Sequence, residues 1–260
     1  MGFSSMYGIS ILEFIAYTPS LFLSTFLVLR HGIRRSGGFI FLVIFSLIRI
    51  LGACSQLSTI HHHSIGIYIV VAILDSIGLS PLLLGLVGMI SRTNKLMVHS
   101  VIPRSGFTCF RVIICLAAVL TVTGITGEMS AETFRSPNIQ VKTAMILYFA
   151  SWVMICIGLV KLVLNRGRIA EGEYRNLFAV AISVPFVLIR IVYALLIWFE
   201  ANNKFNGLDG KGGVRLVMSV FEEIIVVFVC LIFGLGLRVR ERNWEVIPDE
   251  TGAGEMLSGH

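Results

Sequence analysis

Six ionisable side chains interrupt stretches of otherwise apolar sequence: Glu13, Arg49, Asp75, Arg190, Glu222 and Glu223. Near the centre of a bilayer a lone charge costs about 2.5–3.5 kcal/mol, so six left unpaired would cost on the order of 15–20 kcal/mol. These groups must therefore meet one another or water. Their types also define a chemistry. Two arginines, which keep their protons, face four carboxylates, so the set has a surplus of negative charge when every acid is ionised. In a low-dielectric site the surplus is relieved by protonating one or two acids, while arginine forks hold the others ionised. A neutral carboxylic acid beside a fixed carboxylate is what general acid catalysis uses, and a membrane proton relay uses the same pair.

Asp75, Glu222, Glu223 and Glu13 are accordingly the candidate catalytic acids, and Arg49 and Arg190 the groups that orient them. Tyr17, Gln56, Ser76 and Tyr193 fall on the same segments and are candidate orienting or substrate-binding residues. Glu222 and Glu223 stand about 100° apart around a helix axis, so one of them faces the centre. The reading gives that place to Glu222, as the counterpart of Asp75, and gives Glu223 to an arginine or a neighbouring helix. The plainer alternative is that Arg49–Asp75 and Arg190–Glu222 are buried clamps that only fix helix packing.

The elements that must hold these residues follow from hydropathy. The chain of 260 residues is 56% hydrophobic and only 14% charged, with a mean hydropathy of +0.87, more apolar than a soluble core of this size requires. Seven runs can cross about 30 Å of hydrocarbon at 1.5 Å per residue: about 8–29, 39–60, 65–90, 107–127, 141–164, 176–199 and 214–237. Lipid offers the backbone no hydrogen bonds, and runs of this length exceed barrel strands, so they are helices. The expected fold is an all-α membrane protein, a seven-transmembrane-helix bundle over residues 1–243, with a disordered cytosolic tail over 244–260 where apolar periodicity gives way to Gly, Pro and acids.

An internal repeat is also visible. Phe45-Ser46-Leu47-Ile48-Arg49-Ile50 in the second run and Phe186-Val187-Leu188-Ile189-Arg190-Ile191 in the sixth match at five of six positions, and the next run in each case carries buried acids. This predicts two parallel three-helix units joined by a fourth, inverting helix, a 3+1+3 arrangement. Counted along the helices, Arg49, Asp75, Arg190, Glu222 and Glu223 fall roughly 12–17 Å below the outer surface, with Glu13 shallower. One polar layer in the outer half of the bilayer results.

Loop charge sets the orientation. Arg30, Arg34, Arg35, Arg92, Lys95, Arg104, Arg166, Arg168, Arg175, Arg238, Arg240 and Arg242 fall on one side, against Arg135, Lys204 and Lys211 on the other. The N-terminus is expected outside or lumenal and the C-terminus cytosolic, in the endoplasmic reticulum or another endomembrane. The net charge of +6 then serves topology and contact with membrane lipid, and no nucleic acid is expected as a partner. Residues 1–7 carry no basic segment, so the first run is expected to remain as an anchor. Cys54, Cys109, Cys115, Cys156 and Cys230 lie in or beside apolar runs and read as reduced packing residues. No spacing for a metal, a dinucleotide or a phosphate loop occurs, so neither a metal nor a cofactor is expected, and no oligomeric state is assigned. His61, His62 and His63 read as a solvated turn, Lys161 and Arg111 as snorkelling ends. Pro81 and Pro185 read as kinks, Gly85, Gly88, Gly234 and Gly236 as close helix contacts, and Trp152 and Trp198 as bundle or interface aromatics.

Arg30-His31-Gly32 with Ser36-Gly37-Gly38, Phe45 to Gly52, Ser76-Ile77-Gly78-Leu79-Ser80-Pro81-Leu82-Leu83-Leu84, Phe186 to Leu195 and Met218 to Val227 together resemble a fungal seven-helix membrane protein family of unknown function. In size and helix count alone the chain also resembles the fungal membrane-bound terpene cyclases, although their early Trp-Glu pair has no match here. That likeness implies acid-initiated cyclisation or isomerisation of a lipophilic terpenoid-like or polyketide-like substrate, with Asp75 or Glu222 as general acid. The alternatives are a proton-coupled small-molecule transporter and a receptor or scaffold with a structural polar core. A retinal protein is excluded, because residues 214–237 hold no lysine for a Schiff base. A glycosylation site fused ahead of residue 1 should be modified in a eukaryotic host and one fused behind residue 260 should not; the reverse pattern overturns the orientation.

Overall fold

The computed structural model describes residues 2–32, 38–59, 65–97, 100–127, 139–165, 167, 174–199 and 220–236. Among them lie eight helices and no strand: α1 (Gly2–His31), α2 (Phe39–Ser58), α3 (Ile65–Ile77), α4 (Leu79–Lys95), α5 (Arg104–Thr126), α6 (Ile139–Leu164), α7 (Tyr174–Phe199) and α8 (Glu222–Leu235). The histidine run 61–63, the residues ahead of 220 in the seventh predicted run and the tail 244–260 lie outside the described residues, as do Arg135, Lys204 and Lys211. Among the described residues six spans are long and apolar enough to cross a membrane, one of them made by most of α3 with α4 (Val70–Lys95). Their outward faces are apolar as well: Phe22, Leu29, Ile15, Val112 and Ile232 are each more than half exposed. Side chains of that kind around the perimeter need lipid. The protein is an integral multipass membrane protein.

The predicted third run is two helices rather than one kinked helix. Pro81 has no N–H to give the Ile77 carbonyl one turn earlier, and Ser80 Oγ donates to that carbonyl instead, at 2.9 Å. The break falls at Gly78, whose own N–H still reaches the Leu74 carbonyl at 3.3 Å. The two arms also differ in burial. Every residue from Leu79 to Ser91 is buried, whereas residues 71–77 of α3 are all half-buried. A helix apolar on all sides belongs at a bundle's centre. Accordingly α4 contacts α2, α3, α5, α6 and α7, while α1 pairs with α2, α5 with α6, and α8 lies between α7 and α1.

Polar side chains fix the ends of this central helix. Asn94 accepts the N–H groups of Val101 and Ile102, both at 3.0 Å, and donates to the Ile102 carbonyl at 2.9 Å, which pins the turn into α5. Asn176 of α7 donates to the Met89 carbonyl and to Thr93 Oγ1, each at 2.8 Å. Trp152 spans α6 to α7 by donating to the Val184 carbonyl at 3.0 Å, next to Pro185. Of the cysteines only Cys230 is buried; Cys54, Cys109 and Cys115 are exposed on the outside of the bundle, so the packing role expected for all five holds for one.

Small residues set the closest approaches. A Cβ on Gly38 would lie 2.1 Å from the Gly85 carbonyl oxygen, so this contact is backbone against backbone. A Cβ on Gly234 would meet the Phe39 ring at 2.6 Å, whereas one on Gly85 would meet nothing nearer than 3.6 Å. The substitution Gly38→Ala should therefore cost about 1–3 kcal/mol through overpacking. Gly85→Ala should be neutral or gain about 0.5–1 kcal/mol from its helical position. Thermal unfolding in detergent separates the two: equal losses in Tm would contradict the contact.

Candidate functional site

Four of the six ionisable residues form a closed ring. Arg49 on α2 donates through Nη1 to Asp75 Oδ1 on α3 at 2.7 Å, and through Nη2 to Glu223 Oε1 on α8. Arg190 on α7 donates through Nε to the same Glu223 Oε1 at 2.7 Å. Its Nη2 lies 3.5 Å from Asp75 Oδ1 and donates to the Asp75 backbone carbonyl at 3.1 Å. Each arginine thus meets both acids, and each acid shares one oxygen between both arginines. Two positive and two negative charges cancel, which is how four ionised groups persist in the interior. Side-chain exposure is 4% for Arg49, 3% for Arg190 and 1% for Glu223, against 24% for Asp75.

Apolar partners hold the guanidinium planes. Arg49 lies over the Phe45 ring, 5.6 Å from its centroid, one turn earlier on α2. Arg190 lies 5.9 Å from the Tyr193 centroid, one turn later on α7. Both place a guanidinium carbon within about 6 Å of a ring centroid, the range of a cation–π contact. Tyr193, one of the candidate orienting residues, supplies this π surface to Arg190. Gly78 completes the cradle, since a Cβ there would lie 3.3–3.4 Å from the Arg49 guanidinium. The break between α3 and α4 therefore sits against the ring. Neither Phe45 nor Gly78 was singled out for this role; a glycine three residues after Asp75, at the end of a helix, is the signal in the sequence.

Glu223 pairs with arginine, one of the two places expected for it, and it also takes the place beside Asp75 that was expected for Glu222. Glu223, not Glu222, shares both arginines with Asp75, and the expected Arg190–Glu222 pair is an Arg190–Glu223 pair. Helix phase decides this: one residue rotates a side chain by about 100°, and α8 follows a wider turn at 220–221 that sequence pattern does not announce. Glu222 is buried, at 7% exposure, and its Oε2 has no hydrogen-bond partner among the described residues.

Glu13 and Tyr17 approach the ring from α1, where they are one turn apart on one face. Glu13 is buried at 4% and Tyr17 fully. Glu13 lines a cavity of about 10 Å³ with Ile48, Arg49, Gly52, Gln56 and Asp75, room for about one water molecule. Tyr17 packs edge-on against Phe45 at 5.6 Å, and its hydroxyl has no hydrogen-bond partner among the described residues. Gln56 is buried at the cavity wall. Ser76 is half-buried beside Asp75 and takes no part in the ring's hydrogen bonds.

An all-helical multipass membrane protein organised around a buried arginine–carboxylate ring is the class that fold and site define. More particularly, the chain belongs to the DUF7702 family, a domain of unknown function, matched over residues 3–240. No curated protein matches the chain, and no solved structure does.

The ring makes unequal demands on the neighbouring glutamates. Glu223→Gln removes one charge from a balanced buried set and should cost about 3–5 kcal/mol. Glu222→Gln, outside the ring, should change stability by less than about 1 kcal/mol. Detergent-based unfolding measures both, and equal costs would contradict the pairing.

Proposed function

We propose that this protein is a proton-coupled transporter of small molecules, built as two parallel three-helix units around an inverting fourth span. The observation that carries the reading is the four-membered ring, in which each unit contributes one arginine and one acid: Arg49 and Asp75 from one, Arg190 and Glu223 from the other. A proton on Glu223 weakens two ion pairs at once and leaves two arginines facing one carboxylate. Ring and units then separate or close together, which is the two-state element that alternating access needs. Gly78 supplies a hinge, because α3 carries Asp75 and is half-buried, while α4 is held on all sides. Seven spans with the N-terminus lumenal or outside and the C-terminus cytosolic, in an endomembrane, complete this reading; the fungal family resemblance agrees with it.

Enzymatic use of the acids is the second reading, favoured by the Glu222 carboxyl oxygen left without a partner. There Glu222 would protonate a lipophilic terpenoid-like or polyketide-like substrate entering from lipid, and the ring would stabilise the cation formed. Against it stands the engagement of Asp75 and Glu223, each of which shares an oxygen between two guanidiniums and so is taken up by the ring.

Vesicles holding the purified protein and a trapped pH dye test transport. Under an imposed pH gradient, a panel of small organic solutes should include at least one that accelerates proton movement tenfold or more, and Glu223→Gln should abolish the acceleration. Folded protein that moves no protons with any solute would refute transport. A new lipophilic product in host cells expressing the wild type, lost in Glu222→Gln, would establish the enzyme instead.

A further inference from the structure

Of the ring's two acids, one is sealed and the other is not. The Glu223 side chain is 1% exposed and that of Asp75 is 24% exposed. Both share an oxygen between the two arginines, so a proton on either weakens two ion pairs. Asp75 also lines the water-sized cavity, together with Glu13 of α1 and the α2 residues Arg49, Gly52 and Gln56. Those three are spaced by three and four residues, so they lie along one face of α2, running toward its end at Ser58. Arg49 has one donor to spare: its buried Nε has no hydrogen-bond partner among the described residues.

Gly52 is a glycine that packing does not demand. A Cβ there would meet only the Leu74 Cβ, at an ordinary 3.7 Å, although glycine inside a helix is unfavourable against alanine. What its missing side chain provides is space in the cavity wall. The lining then selects the occupant. A metal cation or an ammonium ion would face the Arg49 guanidinium, and an anion would face two carboxylates. Water accepts from an N–H and donates to carboxylates, and a cavity of about 10 Å³ takes one molecule.

We propose that this cavity is a site for one water molecule through which the ring takes up a proton at Asp75, and that Gly52 holds the site open. The proposal rests on the transport reading for its use, and it gives the present state a side. Asp75 exchanges protons at the Ser58 end of α2, lumenal or outer in the orientation read from loop charge, while Glu223 becomes reachable only after the two units part. In the step, an arriving hydronium ion gives a proton to the cavity water as that water gives one to the Asp75 carboxylate. Hydronium leaves as water, the cavity water is restored, and Asp75 becomes a neutral acid. The charged groups facing Asp75 are Arg49 on α2, Arg190 on α7, Glu223 on α8 through those arginines, and Glu13 on α1, which shares the cavity. Helices α4 and α5 also contact α3. Their basic residues are Arg92 and Lys95 in the last turn of α4 and the exposed Arg104 and Arg111 in the first half of α5.

Infrared spectroscopy of the full chain in lipid, after a rapid drop in pH, reads the step through the stretch of a protonated carboxyl. One growing band should shift when the protein is made with aspartate isotope-labelled at the carboxyl carbon, which leaves the fold untouched, and should be absent from Asp75→Asn. No aspartate band in the labelled wild type, or one that persists in Asp75→Asn, overturns the assignment to Asp75. Gly52→Ala fills the cavity without crowding Leu74, so Tm should hold or rise. The aspartate band should then appear at least tenfold more slowly and reach the same final amplitude. A Gly52→Ala protein that protonates at the wild-type rate overturns the water site whatever its Tm, since a packing glycine would move Tm alone. The port and the transport reading fail separately. Slowed uptake in Gly52→Ala without solute-driven proton flux in the wild type refutes transport and leaves the port. Solute-driven flux with unchanged Gly52→Ala uptake refutes the port and leaves transport.

Discussion

A charge inside hydrocarbon has to be balanced at its own depth, and the rest of this structure is arranged around that requirement. Four helices that could otherwise slide past one another in lipid are held in register by one ring of two arginines and two acids. Apolar packing alone would not do this, because lipid tails are as good a partner for leucine as another helix is. The ring also explains why glycine stands at position 78. A Cβ there would lie 3.3–3.4 Å from the Arg49 guanidinium, which would have to give by a few tenths of an ångström within the ring. Close approach recurs where the Gly38 backbone meets that of Gly85 and where the Gly234 backbone meets the Phe39 ring.

Much of this is legible in the chain itself, and what is not has specific physical causes. Long apolar runs mark the spans, because nothing else keeps backbone polar groups satisfied in lipid. Charges within those runs mark the site: Arg49, Asp75, Arg190 and Glu223 converge because no stable alternative is open to them. Helix phase is harder. Whether Glu222 or Glu223 points inward depends on the turn that starts the helix, and a difference of one residue cannot be read when both positions hold the same acid. The centre of the bundle is hidden for another reason. Residues facing lipid and residues facing protein are equally apolar, so hydropathy does not distinguish α4, buried all round, from α5, whose Val112, Leu116 and Val119 face outward.

The helix break at Gly78 lies between these cases. Pro81 signals an interruption, and the sequence suggests a kink at that residue. Proline, however, frees the carbonyl one turn earlier, so the irregularity appears upstream, where Ser80 takes over the Ile77 carbonyl. Pro185 shows the contrast, since α7 passes through it unbroken. There Trp152 of α6 donates to the neighbouring Val184 carbonyl and braces the helix from outside.

Charge balance finally separates the six ionisable groups into two kinds. The ring is neutral by itself, so the surplus of negative charge read from the sequence rests on Glu13 and Glu222, which lie outside it. Glu222 takes no part in the ring's four ion pairs, whereas a proton on Asp75 or on Glu223 weakens two of them.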